Sequence, residues 1–103
     1  MEEPMIIFST RARVAGTLPD AVAWAAEVAQ IVTKTTGVAI EVAVRVGGHN
    51  DVIWVSRLDD MAAVEKMMGQ VQGDANYHAA LRSAQEKHLF DSVSVEQAFW
   101  RTL

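Results

Sequence analysis

The chain has 103 residues, half of them apolar, no cysteine and a formal net charge of −4. That length suits a single domain. The lack of cysteine excludes disulfides, thiolate metal sites and cysteine nucleophiles, and the acidic balance disfavours the phosphate attraction on which nucleic-acid binding rests.

The start, Met1-Glu-Glu-Pro, has neither the basic lead nor the apolar core of a signal peptide. No apolar run approaches the ~20 residues that span a bilayer. A soluble, cytoplasmic protein with no membrane or nucleic-acid partner is the expectation.

Met5 to Val14 alternates as a strand, with Ile6, Phe8, Thr10, Ala12 and Val14 on one face. Met5, Ile7, Ser9, Arg11 and Arg13 take the other face, and Gly16 ends the pattern. Thr17-Leu-Pro-Asp20 reads as a helix start with Thr17 as N-cap and Asp20 placed to reach back. The helix runs to about Thr36 on a stripe of Leu18, Val22, Ala25, Ala29 and Val32, and Gly37 stops it.

Val38 to Val46 alternates again, valines and Ile40 against Ala39, Glu41, Ala43 and Arg45. Gly47-Gly-His-Asn-Asp51 is a turn, and Val52 to Leu58 is the returning strand. Pairing Val46 with Val52 is the expected register, because a slip of one residue would set valines against arginines. It places Val44 opposite Trp54, Val42 opposite Ser56 and Glu41 opposite Arg57. Asp59 or Asp60 caps a second helix that carries Met61, Val64, Met67, Met68 and Val71. Gly73-Asp74 interrupts it, a third helical segment continues with a kink from Asp74 to about Leu89, and a last strand spans about Ser92 to Thr102.

This order predicts one ferredoxin-like α+β domain over residues 1–103, a βαββαβ antiparallel sheet with its helices on one face. The other face is bare and needs a partner chain or a ligand.

Of the six arginines, Arg11, Arg13, Arg45 and Arg57 fall on that bare face among Ile7, Ser9, Ala39, Ala43, Ile53 and Val55. Glu41 stands among them, and Glu96 of the last strand joins them. Two readings compete. The arginines pair with these acids and a partner's across a homodimer interface, or they line a cavity for an anionic or carbonyl-bearing small molecule. In the second reading Arg11 and Arg45 bind ligand; were the site catalytic, Arg11, Arg45 or Arg57 would stabilise a developing oxyanion, with Glu41 or His88 as proton acceptor. Tyr77 and His88 share a stripe with Leu81 and Ala84, either bordering one pocket or forming a packing edge.

The histidines have no metal-site spacing: His49 is in a turn, and His78 and His88 are ten apart. No G-x-S-x-G occurs, and Gly47-Gly48 lacks the Lys-Ser/Thr of a phosphate loop. Trp54 reads as core, Phe99 and Trp100 as a clamp on a second subunit, and the methionines as core filler.

The run Gly47-Gly-His-Asn-Asp-Val-Ile-Trp-Val-Ser-Arg-Leu-Asp-Asp60, then Gly73-Asp-Ala-Asn-Tyr-His78 and Val93-Ser-Val-Glu-Gln-Ala-Phe-Trp100, resembles the dimeric α+β-barrel superfamily. It is most similar to the antibiotic-biosynthesis-monooxygenase and NIPSNAP-like branches. The resemblance implies two sheets facing across a homodimer axis and a pocket between sheet and helices or inside the barrel. Its members include cofactor-free oxygenases, isomerases and haem-handling enzymes. The haem-degrading branch uses a first-strand Asn, a third-strand Trp and a His on the next helix. Trp54 matches the Trp, but Ser9, Thr10 and Val64 stand where the others would be, so no cofactor is implied.

The Gly48-His-Asn-Asp51 turn also resembles the effector-binding domain of leucine-responsive regulators, with no helix-turn-helix before the first strand. The expectation is therefore a cofactor-free monooxygenase or isomerase acting on a small carbonyl-bearing metabolite. The alternative is a non-catalytic small-molecule-binding or dimerisation module.

Overall fold

The computed structural model describes residues 4–103. Seven elements follow in order: β1 Ile6–Val14, α1 Leu18–Thr36, β2 Ile40–Val44, β3 Asp51–Leu58, α2 Met61–Gln72, α3 Ala75–Glu86 and β4 Phe90–Arg101. The strands form one antiparallel sheet in the order β2-β3-β1-β4. This is the expected ferredoxin-like α+β architecture. Among the described residues no helix is long and apolar enough to cross a membrane.

Alternation does what the pattern requires. Ile6, Phe8, Ala12, Val52 and Leu58 are buried on one face of the sheet, where Val64 and Met67 of α2 close a core over Ile6, Phe8 and Leu58. The buried residues of α1 are Ala21, Ala25, Val28 and Ala29, and small side chains let that helix approach the sheet. Trp54 exploits the approach by donating its indole N–H to the Ala25 carbonyl at 3.1 Å.

Several local expectations need correction. Thr17 holds the N-cap position with extended backbone, yet its side chain makes no capping bond. Of the two candidate caps of α2, Asp60 takes the role, as expected, accepting from the Ala63 amide at 2.8 Å. The kink after Gly73 is a full break, because Asp74 turns extended and caps a separate α3 through the Tyr77 amide at 2.9 Å.

The β2–β3 register differs from the expected one by two residues: Val44 faces Val52, Val42 faces Trp54, and Glu41 faces Val55 rather than Arg57. A two-residue slip keeps every side chain on its face, so alternation cannot detect it. Asp51 decides the matter. It joins β3, its carbonyl accepts from the Arg45 amide at 2.9 Å, and the Asn50 carbonyl accepts from Val14 at 2.8 Å. The loop is correspondingly longer, with Gly47 and Gly48 at φ of 90° and 81°, values that glycine tolerates best.

His88 is the one non-glycine at positive φ among the described residues, at 51°. It lies past the end of α3, in the turn that leads into β4, and its side chain is exposed. His88→Gly is expected to raise stability by about 0.5–1 kcal/mol, relieving the left-handed strain at some cost in chain entropy. A urea titration giving an unchanged or lower midpoint would contradict this.

Candidate functional site

Antiparallel pairing turns the strand residues into rows that cross the sheet. On the helix-side face, Val42, Trp54, Thr10 and Gln97 form one row, and Ile40, Ser56, Phe8 and Phe99 form the next. The helices leave a cavity of about 390 Å³ above these rows. Its floor is Phe8, Thr10, Trp54 and Ser56, and its roof includes Val28 and Val32 of α1, Met67 and Val71 of α2, and Tyr77, Leu81 and Ala84 of α3.

Three aromatic rings wall one part. Trp24 meets Trp54 edge-on at 6.0 Å and Phe90 at 5.3 Å, and Trp54 meets Phe90 at 5.8 Å. Exposed Gln72, Gln85 and Ser92 rim the opening.

The chemistry of this space is that of neutral polar groups on an apolar wall. Thr10, Ser56 and Gln97 supply hydroxyl and amide hydrogen-bonding groups on the floor, with the Gln97 amide 3.4 Å from the Thr10 hydroxyl. Tyr77 is the only titratable side chain lining the cavity among the described residues. Burial pushes its phenol above the ordinary value near 10, so it is a neutral hydrogen-bond donor at physiological pH. Such a site suits an uncharged ligand, because a bare charge placed there would lose hydration with no ionic partner.

The opposite, bare face carries a different cluster. Arg45, Asp51, Arg13 and Asp91 form one row, and Ala43, Ile53, Arg11 and Glu96 the next. Asp51, with only 7% of its side chain exposed, lies 3.4 Å from Arg45, 3.8 Å from Arg11 and 3.9 Å from Arg13. Arg11 also bonds Glu96 at 2.7 Å. A buried carboxylate demands such company, and here it gathers three half-exposed guanidiniums.

The structure therefore divides the candidate residues. Tyr77 lines the cavity. Arg11 and Arg45 join the Asp51 cluster on the far side of the sheet. Glu41 and Arg57 are exposed on that same bare face, two rows or more from Asp51, and no ion pair joins them among the described residues. His88 borders neither the cavity nor the cluster; it is outside α3, which removes it from the Tyr77 stripe.

Phe99 stacks on Phe8 at 4.8 Å on the helix side, whereas Trp100 is 61% exposed on the bare face. Asp51, Trp24 and Phe90 escaped the sequence reading. Asp51 has the parity of Ile53 and Arg57 but sits in a turn-like run. Trp24 falls on the stripe of Val28 and Val32.

No family model matches the chain, and no curated protein matches it. Among solved structures it is similar to a NIPSNAP family protein from Agrobacterium tumefaciens str. C58, with a TM-score of 0.80 and 16% identity over 100% of this chain and 90% of that one. A second NIPSNAP family protein from that strain gives 0.77 and 12% over 95% and 87%. SnoaB, a cofactor-independent oxygenase from Streptomyces nogalater, gives 0.72 and 12% over 98% and 95%. At these identities the likeness establishes a common fold along the whole chain, the fold of the branches that the sequence resembles.

The raised Tyr77 pKa has a stability consequence. Below pH 10 the phenol is neutral whether the chain is folded or not, so it adds no pH dependence. Above pH 10 the unfolded phenol ionises first, and stability falls until the folded pKa is passed. Tyr77→Phe is expected to flatten the loss of stability above pH 10, read as urea midpoints against pH; an unaltered slope would contradict the burial of this hydroxyl.

Proposed function

We propose that this protein binds an uncharged, mostly apolar, carbonyl-bearing small molecule in the cavity between its helices and its sheet, and acts on it as a cofactor-free monooxygenase or isomerase. The observation that carries this reading is the cavity itself, aromatic and apolar, with neutral polar groups on its floor and a phenol held protonated in its roof. A neutral Tyr77 hydroxyl is suited to donate to a substrate carbonyl oxygen as negative charge develops there.

In an isomerase a substrate C–H proton passes to water at the cavity mouth, the lining holding no titratable acceptor beside the neutral Tyr77 among the described residues, and a proton returns to a second carbon of the same substrate. In a monooxygenase the activated carbon gives its electrons to dioxygen, converting R₂CH₂ and O₂ to R₂C=O and H₂O. The oxygenase in the same fold agrees with this reading as analogy only. We place the homodimer contact on the bare face, where Ile7, Ile53, Val55 and Trp100 form an apolar surface beside the arginines.

A second reading is favoured by the Asp51 cluster. Arg11, Arg13 and Arg45 already have acids for partners on the bare face, as a binding or dimerisation module would use them. The two readings separate on Trp100→Glu, which places a charge on the bare face. Dissociation to monomers with ligand binding intact supports the first; loss of ligand binding together with the dimer supports a site between subunits.

The direct test uses 9-fluorenone as a flat neutral probe and quenching of tryptophan fluorescence as readout. Binding is expected to weaken about tenfold or more for fluorenone-4-carboxylate and to vanish in Ala84→Trp, which fills the cavity. Equal or tighter binding of the carboxylate would overturn the neutral-site reading.

A further inference from the structure

We infer that α3 is a hinged lid over the cavity, latched to α1 by the hydrogen bond between Thr35 and Asp74; the inference rests on the cavity being the ligand site. Four observations lead there. First, α3 packs chiefly on α1 and stands off from the sheet, with Tyr77, Leu81 and Ala84 facing the cavity that lies between. Second, α3 is bounded by breaks in the helical path. Asp74 turns extended after Gly73 at the latched end, and at the other His88 is left-handed while the Leu89 amide donates back to the Ala84 carbonyl at 3.1 Å. With the latch at its N-terminal end, the helix swings as a unit about its C-terminal end.

Third, few bonds hold it closed. The Thr35 hydroxyl donates to one Asp74 carboxylate oxygen while the other oxygen caps α3. The Trp24 indole donates to the Ala80 carbonyl at 2.8 Å. The hydrogen bond from Thr35, together with the backbone bonds to the same carboxylate, holds the Asp74 pKa below its ordinary value, so the acceptor is charged and the latch is a charge-assisted one. Fourth, the His78 ring reaches back across the Gly73 joint to the Gln72 carbonyl at 2.7 Å, fixing the angle between α2 and α3 while the latch is shut.

Trp24 connects the latch to the contents of the cavity. Its ring is part of the aromatic wall, and its N–H grips the middle of α3.

The latch is the same bond in the empty and the filled protein, and so it cancels from affinity and appears in rates. Thr35→Val removes the donor and leaves the helix cap of α3 in place. Stopped-flow tryptophan quenching with 9-fluorenone is expected to give association and dissociation rates that both rise about three- to tenfold in Thr35→Val, with the dissociation constant unchanged. Thr35→Ser, which keeps the hydroxyl, is expected to restore both rates.

Amide hydrogen exchange, which needs no ligand, is expected to show residues 75–86 opening as one group, faster in Thr35→Val. Unchanged rates, a change in dissociation alone, or α3 exchange insensitive to Thr35→Val would each overturn the lid. Failure of fluorenone to bind the wild type would instead strike the cavity reading, and the exchange data would still decide the lid.

Discussion

The structure depends on β1 being paired on both sides. Because β3 and β4 each run antiparallel to it, the residues of β1 from Ile6 to Arg11 each fix what stands beside them on both sides, before the β4 register shifts at Ala12. Two consecutive residues show the consequence. Thr10 aligns Trp54 and Gln97 on the helix side and so lays the cavity floor. Arg11 aligns Ile53 and Glu96 on the bare side and so begins the charged cluster. One strand thus generates two unrelated surfaces, and the alternation of its side chains keeps them apart.

The helix layer explains why one surface becomes a cavity. α1 is alanine-rich where it meets the sheet and sits close; α2 drives Val64 and Met67 into the core over Leu58. α3 has little to bury and stays away from the strands. The core is consequently incomplete, and Val52 and Val64 are its largest fully buried side chains. A hydrophobic molecule in the remaining space would act as part of that core. It would stabilise the folded chain in proportion to the logarithm of its concentration over its dissociation constant. Binding of such a molecule would therefore be linked to folding stability.

Much of the fold was legible in the residues. The alternation of Ile6 to Val14 and of Val38 to Val46, the Gly37 stop and the Gly47-Gly48 turn place the elements and the two faces. The β2–β3 register was not legible, because a slip of two preserves alternation and the choice was made by a carboxylate in contact with three arginines. The site was legible only in part. Tyr77 stands on the roof and the strand arginines share a face, as the pattern implies. Yet which face holds the cavity depends on how far α3 stands from the sheet, a distance no periodicity encodes. The arginines drew attention to the bare face because charge is conspicuous in a sequence. The neutral row of Thr10, Trp54 and Gln97 acquires meaning only once three strands are side by side.

The most direct test of the central claim, that a small molecule enters between helices and sheet, is an amide and indole ¹H–¹⁵N correlation spectrum during titration with 9-fluorenone. The three indole N–H signals report on different places: Trp24 and Trp54 wall the cavity, and Trp100 lies across the sheet. The account predicts that the Trp24 and Trp54 signals shift to saturation while Trp100 stays in place. Movement of Trp100 alone, or no indole movement at saturating probe, would contradict it.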